Sequence, residues 1–452
     1  MELQRTPWRR AGITVLLVLA AIAQIAPSQE ATWSRSTDAG VKAYREARYT
    51  EAEGHFKAAL RLAGAEQNAP NHERLATSLN NLAELYSAQG RYTEAEPLFR
   101  RALTIRESVL GPVHPEVADT LNNLAAVYRA QGSYAPAEAL YQQAGTIFEK
   151  TLGPEHPRVA TSLTNLGFLC REQARFAVAE SLFERALAIF KKSRVPDSPD
   201  VALGLHNLAE LYRAQARYAQ AEPLYTRSLA IFEKALGPEH PTVALNLNNL
   251  AELFKAQGRY AEAEPLYLKA LEILKKVHGP EHPTVALNLN SLATLYHAQR
   301  MYANAELLYQ RALAAWEKAL GPDHPSVATG LSNLAALYRR QGKYAEAEPL
   351  YRRALGIHER TMGPDHPDVA MDLNNLALLY ATEGKFAEAE PLYQRSLSIQ
   401  EKVLGTSHPV LATTLENYAH MLRKTKRKAE AKKIETRVKD IRARHRRLNP
   451  DF

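Results

Sequence analysis

Histidines recur along this chain at a fixed spacing, and imidazole is a common ligand of zinc. A zinc site needs several ligands about 2 Å from a single ion. Each of these histidines stands alone in its interval, so the spacing argues against a metal site and favours a structural or helix-capping role. They are His72, His114, His156, His240, His282, His324, His366 and His408, at intervals of 42 or twice 42 residues, and all but the first precede a proline.

The sequence contains no familiar catalytic pattern. His-Glu-x-x-His, Gly-x-Ser-x-Gly, a phosphate-binding loop and the Rossmann glycine set do not occur. The single cysteine, Cys170, can form neither an intramolecular disulfide nor a cysteine metal cluster, and we expect a buried structural thiol. We therefore predict a protein without catalytic activity and without a cofactor or metal.

The 42-residue interval resolves into two predicted helices, as residues 241–282 illustrate. Pro241 suits a first helical position, where the missing N–H would have no partner. An apolar face spaced i, i+3, i+4 and i+7 follows and ends at Phe254. Gly258 then breaks the helix, and a second apolar face runs over residues 260–271. The unbroken period predicts an all-α solenoid of stacked antiparallel helix pairs, about ten in number.

A polar stripe runs along the first helix of each pair, at i, i+4 and i+7 from the first Asn of an Asn-Asn pair. Amides donate and accept at once, so they match an extended peptide backbone; they could equally hydrogen-bond neighbouring helices. We favour peptide binding for the first Asn and a structural role for the second. Cations at the last stripe position would favour an acidic segment, with a solvated helix face as the alternative. The candidate peptide-binding residues are Asn80, Asn122, Asn248, Asn290, Asn374, Arg129, Arg171, Arg213, Lys255 and Arg339.

Three motifs repeat in order: Leu-Asn-Asn-Leu-Ala-x-Leu-Tyr, Gln-Gly-x-Tyr-x-Glu-Ala-Glu-Pro-Leu-Tyr-x-Arg-Ala-Leu, and Leu-Gly-Pro-x-His-Pro. They resemble the tetratricopeptide repeat (TPR), in the 42-residue variety found in kinesin light chains and many bacterial repeat proteins. The resemblance implies a right-handed superhelix whose first helices line a concave groove. It also implies a scaffold for a protein or peptide partner, with no small-molecule substrate. Similar grooves in kinesin light chains take short acidic peptides, so an acidic partner is expected here.

The domain organisation follows from the same pattern. Residues 71–424 form the repeat array, residues 32–70 a degenerate opening repeat, and residues 425–452 a basic capping helix and tail. The stretch 423–447 holds 13 Lys or Arg and three acids, so the formal charge of +8 is concentrated at this end. An alternative function is association of this tail with an anionic membrane surface or nucleic acid. The structural alternative is a solvated helix that caps the solenoid.

Residues 1–31 are typical of an export signal. Arg5, Arg9 and Arg10 precede an uncharged, largely apolar run from Ala11 to Ala23. This run is too short for a comfortable transmembrane helix, which needs about 20 residues. We therefore expect an exported bacterial protein, periplasmic or secreted, with an inner-membrane anchor as the alternative. Export argues against a nucleic-acid partner.

Overall fold

The fold was obtained as a computed structural model, which describes residues 29–64, 69–192 and 197–448. Within these ranges the chain is entirely helical, and twenty helices form ten antiparallel hairpins, so the all-α prediction is confirmed. The first helix of each hairpin is called the A helix and the second the B helix. The A and B helices are, in order, α1 (Gln29–Arg45) and α2 (Tyr49–Gly64), α3 (Ala69–Ala88) and α4 (Tyr92–Leu110), α5 (Pro115–Ala130) and α6 (Tyr134–Leu152), α7 (Pro157–Glu172) and α8 (Phe176–Lys192), α9 (Pro199–Ala214) and α10 (Tyr218–Leu236), α11 (Pro241–Ala256) and α12 (Tyr260–His278), α13 (Pro283–Ala298) and α14 (Tyr302–Leu320), α15 (Pro325–Arg340) and α16 (Tyr344–Met362), α17 (Pro367–Glu383) and α18 (Phe386–Leu404), α19 (Val410–Lys424) and α20 (Lys428–Leu448).

The periodic histidines cap the A helices. At the start of α5, the backbone N–H of Glu116 donates to Nδ1 of His114 over 3.2 Å. Such a cap satisfies an N–H group that has no partner inside the helix. The same cap is made by His156, His240, His282, His324 and His366, and Ser198 takes the place of histidine in α9. The predicted capping role of these histidines is confirmed.

His72 continues the spacing but does not cap a helix. It lies in the first turn of α3, which begins three residues earlier, at Ala69. The residue after His72 is Glu73, whereas the other histidines precede proline. Proline pushes the residue before it out of the helical region, so the helix can extend upstream only where proline is missing.

Small and aromatic residues alternate in the core between the helices. Ala251 of α11 and Ala263 and Ala270 of α12 have no exposed surface, which lets the helix backbones approach closely. Tyr267 of α12 fills the space between them and is also fully buried. Cys170 is buried as predicted, and burial raises the pKa of its thiol, which keeps it protonated and unreactive.

The A helices lie on the inner side of the curved stack. Neighbouring A helices, such as α11 and α13, touch each other directly, and no two neighbouring B helices approach as closely in the described ranges. In a curved stack of hairpins, the helices on the inside are the closer ones. The concave surface is therefore built from A helices.

Successive turns of the superhelix touch each other. Nε2 of His324 lies 3.1 Å from the carbonyl oxygen of Ala88, and Nε2 of His408 lies 3.2 Å from that of Glu172. Both pairs are 236 residues apart, which is between five and six repeats. Nδ1 of each ring accepts a backbone N–H, so Nε2 carries the proton and donates it to the carbonyl. We call these contacts the inter-turn junctions.

The ends of the chain are described only in part. The predicted export signal lies outside the described residues except for its last three, with which α1 begins. Its role stays a prediction. None of the twenty described helices has both the length and the apolar character needed to cross a bilayer.

Candidate peptide-binding surface

The first Asn of each pair is buried between neighbouring A helices. Asn290 is 8% exposed, and its Oδ1 accepts a hydrogen bond from Nδ2 of Asn333, one repeat later, over 3.0 Å. Related bonds join Asn80 to Asn123 at 3.2 Å, Asn122 to Ser162 at 3.0 Å, Asn248 to Asn288 at 3.1 Å and Asn374 to Asn417 at 3.1 Å. Hydrogen bonds of these amides thus connect the concave faces of successive A helices along the stack.

These bonds define a structural role for the asparagines. The second Asn of a pair acts as donor, as in Asn333 and Asn417, which agrees with the structural role predicted for it. The first Asn uses its carbonyl oxygen as acceptor within the protein. A buried polar group left without a partner costs about 1–3 kcal/mol, so these bonds favour one register of the stack. Peptide contact by the first Asn stays a prediction.

Four of the five predicted cations face a carboxylate on the concave surface. Arg129 lies 2.8 Å from Glu172, and Lys255 lies 2.7 Å from Glu252. Arg213 and Arg171 share Glu210, at 2.9 Å and 3.5 Å. All seven side chains keep some exposure, between 14% and 32%. Much of the positive charge in the first half of the row is therefore already compensated.

Buried phenols hold two of these carboxylates in place. The Tyr267 hydroxyl donates to Glu252 over 2.6 Å, and the Tyr225 hydroxyl donates to Glu210. Burial opposes ionisation of Glu210, but its hydrogen bond and charge interaction with Arg213 outweigh burial, and the pKa of Glu210 falls below its ordinary value. Glu210 is therefore ionised at neutral pH and fixes the position of the arginines.

Arg339 differs from the other members of the row. It forms no ion pair with a described carboxylate, whereas the buried Nε without a hydrogen-bond partner in the described ranges is a feature that it shares with Arg129. Its neighbours are Arg340 and His297. The pKa of His297 is lowered, chiefly by burial and then by the positive charges of Arg340 and Arg339. The positions that correspond to Glu172, Glu210 and Glu252 hold no acid in hairpins 7 to 9, where they are Thr294, Ala298, Ala336, Arg340, Leu378 and Thr382. The second half of the concave surface therefore carries uncompensated positive charge around Arg339, which we call the Arg339 cluster.

An apolar row that the sequence analysis missed lies beside the basic one. Leu203, Leu245 and Leu287 occupy the same place in three consecutive A helices and are 44%, 39% and 46% exposed. Leu245 precedes Glu252 by seven residues, so both lie on the same face of α11. The sequence feature that could have revealed this row is an apolar residue that recurs every 42 residues and lies outside the apolar face of the predicted A helix. These leucines give the concave surface a place for aliphatic side chains.

The basic C-terminal segment is a structured part of the last hairpin. Four of its arginines form ion pairs that fasten α19 and α20 to each other and to α18. The pairs are Arg423–Glu435 at 2.6 Å, Arg427–Glu390 at 2.7 Å, Arg437–Glu401 at 2.6 Å and Arg442–Glu416 at 2.7 Å. These contacts support a capping role, and association with a membrane or nucleic acid stays a prediction.

Metal binding finds no geometric support in the described ranges. No three or more His, Cys, Asp or Glu side chains converge there on a point that could hold a metal ion.

The sequence profile of the tetratricopeptide repeat matches residues 39–108, 76–150, 116–192, 200–276, 242–318, 284–360, 326–402 and 372–444. A search of curated proteins found no match. Among solved structures, the chain is similar to the Rap protein complexed with competence and sporulation factor (14% identity, TM-score 0.52, covering 92% of this chain and 99% of that chain). It is also similar to BtubC (BKLC) from P. vanneervenii (23%, TM-score 0.41, covering 56% and 94%) and to a putative kinesin light chain with nearly identical TPR-like repeats from Podosopora anserina (29%, TM-score 0.38, covering 45% and 97%). With profile matches from hairpin 1 to hairpin 10, the chain belongs to the tetratricopeptide repeat family.

Proposed function

We propose that this chain is a non-catalytic scaffold that holds an extended, acidic segment of a partner protein on its concave surface. Stacked TPR hairpins are interaction surfaces, and their curvature creates an extended concave binding face. The Rap protein, whose fold is similar, was crystallised in complex with competence and sporulation factor. That complex is an example of such a stack holding a second molecule.

The observation that carries the proposal is the Arg339 cluster. A guanidinium without an ion pair to a described residue, beside Arg340 and His297, attracts a carboxylate that the described chain does not supply. A carboxylate also offers the acceptor geometry that a guanidinium prefers. The other four cations of the row already have a carboxylate partner within the chain. An acidic ligand side chain would supply the partner that Arg339 lacks.

The repeat spacing supports an extended ligand. Neighbouring A helices lie about 10 Å apart, and an extended chain advances about 3.3 Å per residue. Every third ligand residue then meets the next repeat. A ligand with acidic side chains toward Arg339 and aliphatic side chains toward Leu245 and Leu287 would fit both rows. Several such contacts together reach about −8 kcal/mol, which corresponds to micromolar affinity.

Charge reversal at the cluster tests the proposal. The probe is a labelled peptide of about twelve residues that repeats Glu-Leu-Ser, and its affinity is measured by fluorescence anisotropy. We expect Arg339→Glu with Arg340→Glu to weaken binding about tenfold or more, because the attraction becomes repulsion. The matched control is Arg101→Glu with Arg311→Glu, which reverses the charge of two exposed arginines on the B helices α4 and α14, away from the concave surface.

The melting temperature of both variants should stay close to that of the wild type, because none of the exchanged arginines, of which Arg339 alone is partly buried, pairs with a described carboxylate of the protein. Equal affinity of the wild type and the double variant for the probe would refute the groove assignment. A loss of affinity of the same size in Arg101→Glu with Arg311→Glu would show that only net charge matters, and it would refute the assignment as well.

A further inference from the structure

The described ranges contain a further inter-turn junction, where Gly132 lies against His366 and Pro367, and the three junctions are not packed alike. At the first two, a glycine of the A–B turn lies under a proline of the next superhelical turn. A Cβ atom on Gly90 would lie 2.5 Å from Cδ of Pro325, and one on Gly132 would lie 3.0 Å from Cδ of Pro367. The first distance leaves no room for a side chain and the second leaves very little, so the first two junctions are tightly packed.

The third junction differs from the first two beside its hydrogen bond. Ala174 stands where the first two junctions have glycine, and Pro409 occupies the place of the packed prolines. The hydrogen bond between the turns is kept here, with Nε2 of His408 3.2 Å from the carbonyl oxygen of Glu172. A cleft of about 900 Å³ lies here, between α7 and α8 on one side and α19 and α20 on the other. We call it the inter-turn cleft.

The wall of this cleft is apolar. Phe176 packs edge-on against His445, with ring centroids 5.6 Å apart, and so joins the two superhelical turns. Val410 and Val178 also line the opening and its extension, and they are 48% and 43% exposed. Large aliphatic side chains with this exposure are available to a ligand.

The rim of the cleft carries surplus positive charge. Lys439, Arg442 and Arg446 are spaced i, i+3 and i+7, so they form one row on α20 that faces the opening, and Arg171 lies opposite. The carboxylate of Glu172, which also lines the cleft, is paired with Arg129, and Arg442 is paired with Glu416. Lys439 and Arg446 are exposed and lie in no ion pair with a described residue.

We propose that the inter-turn cleft is a second binding site, which takes a short peptide segment with alternating acidic and apolar residues. The row on α20 has steps of about 4.5 and 6 Å along the helix axis. Alternate side chains of an extended peptide are about 6.6 Å apart, so acidic residues at every second position meet this row. The residues between them point to the opposite face, toward Phe176 and Val410. A volume of about 900 Å³ is within the usual range of ligand pockets.

This site differs from the concave surface in the ligand spacing it selects. The concave surface repeats once per hairpin and meets every third ligand residue, whereas the cleft meets every second one. Arg171 and Glu172 belong to both surfaces. The proposal therefore stands or falls independently of the Arg339 cluster.

The test uses the full chain and a labelled peptide of about ten residues that alternates Asp and Leu, with binding followed by fluorescence anisotropy. We expect Lys439→Glu with Arg446→Glu to weaken binding about tenfold or more. The matched control, Lys424→Glu with Lys433→Glu, makes the same charge change on exposed residues of the last hairpin that do not line the cleft. Val410→Trp, which narrows the cleft without changing the charge, should also weaken binding.

The outcomes are decisive in both directions. Loss of binding in the rim and Val410→Trp variants, with binding retained in the control and in Arg339→Glu with Arg340→Glu, supports the cleft. Equal binding by the wild type and the rim variant overturns it, and so does a wild type that does not bind the alternating peptide. Equal affinity for a peptide alternating Lys and Leu also overturns it, because the rim would then select no charge.

Discussion

At the scale of the residue, the histidine before each proline makes two hydrogen bonds at the inter-turn junctions. In His408, Nδ1 accepts the N–H of Val410 over 3.3 Å, and Nε2 donates to the carbonyl of Glu172 over 3.2 Å. Only the neutral ring can accept and donate in this way. Burial lowers the pKa of His408 to about 4. The nearby His445 lowers the pKa further, and the hydrogen bond to the Glu172 carbonyl offsets the effect only in part.

This lowered pKa predicts a loss of stability in mild acid. In the unfolded chain a histidine titrates near its ordinary pKa of about 6.5, so protons bind the unfolded state first. The contribution of His408 is fully present above about pH 6.5 and is lost progressively as the pH falls toward 4. We expect the melting temperature of the wild type to fall more steeply over this window than that of His408→Asn. Asparagine keeps an N-cap acceptor but does not titrate.

His408→Asn should also have a lower melting temperature than the wild type at pH 7, since it loses the hydrogen bond that Nε2 of His408 donates to the carbonyl of Glu172. Circular dichroism melts at several pH values measure both effects. Parallel curves for the two proteins would show that protonation of His408 is not coupled to unfolding.

The residue scale also shows what a single sequence can reveal. The cap made by His114 could be predicted, because it needs only a residue two positions along the chain. The bond from His324 to Ala88 could not, because its partner lies 236 residues away and depends on the pitch of the superhelix. Similarly, the stripe position of Asn290 was evident, but its bond to Asn333 required the distance between neighbouring A helices.

At the scale of the helix, the residues that form the contact between a B helix and the next A helix differ from repeat to repeat. His358 of α16 and Asp372 of α17 are both buried, with Nδ1 and Oδ2 2.7 Å apart, and Ser332 donates to the other oxygen of Asp372 over 2.8 Å. One repeat earlier, the same two places hold Trp316 and Gly330, where a Cβ atom on the glycine would lie 3.1 Å from the indole. A large ring therefore faces a residue without a side chain, and a polar ring faces a carboxylate.

Breaking the polar pair should destabilise the protein strongly. Burial opposes protonation of His358, but Asp372 outweighs burial and raises the histidine pKa, so removing the carboxylate leaves a buried imidazole without its partner. Asp372→Ala should lower the free energy of unfolding by about 3–5 kcal/mol. The double variant His358→Phe with Asp372→Asn copies the buried pair Phe232 and Asn246 of an earlier repeat and should recover most of this loss.

Urea unfolding followed by circular dichroism compares the two variants with the wild type. If Asp372→Ala is as stable as the wild type, the buried pair contributes nothing to stability. A double variant as unstable as Asp372→Ala would show that the pairs cannot be exchanged between repeats.

The order of helices was the most predictable feature at this scale. Proline at the start of A helices such as α11 and the 42-residue apolar pattern specify where helices begin and which faces pack. The candidate site was less predictable, because charge compensation depends on contacts between repeats. Arg129 and Arg339 occupy equivalent positions in the sequence, yet the first faces Glu172 and the second faces no described carboxylate.

At the scale of the whole molecule, the curvature of the stack decides which residues become neighbours. Small rotations between hairpins add up over five to six repeats, so a minor change in each determines whether successive turns meet. No motif in the sequence distinguishes Gly90, which lies against Pro325, from Gly258, which has no atom within 4 Å of the place where its Cβ would be. The inter-turn cleft depends on how successive turns of the superhelix meet, so it could not be predicted from the sequence.

The two glycines provide a matched test of the closed superhelix. Both have a positive φ, +70° for Gly90 and +75° for Gly258, so alanine at either position carries a similar backbone cost of about 1 kcal/mol. The chain tolerates this conformation in alanine, as at Ala174 with φ of 54°. Only at Gly90 does the added methyl group also collide with the next superhelical turn.

Gly90→Ala should therefore separate the first inter-turn junction, whereas Gly258→Ala should leave the superhelix closed. Small-angle X-ray scattering would detect a larger radius of gyration in the first variant alone, and its melting temperature should fall further because the added methyl group collides with Pro325. The same radius of gyration in both variants would mean that the turns are not held together in solution. In that case the cleft between the turns would have no fixed shape, and the selectivity expected of its cationic rim would be lost with it.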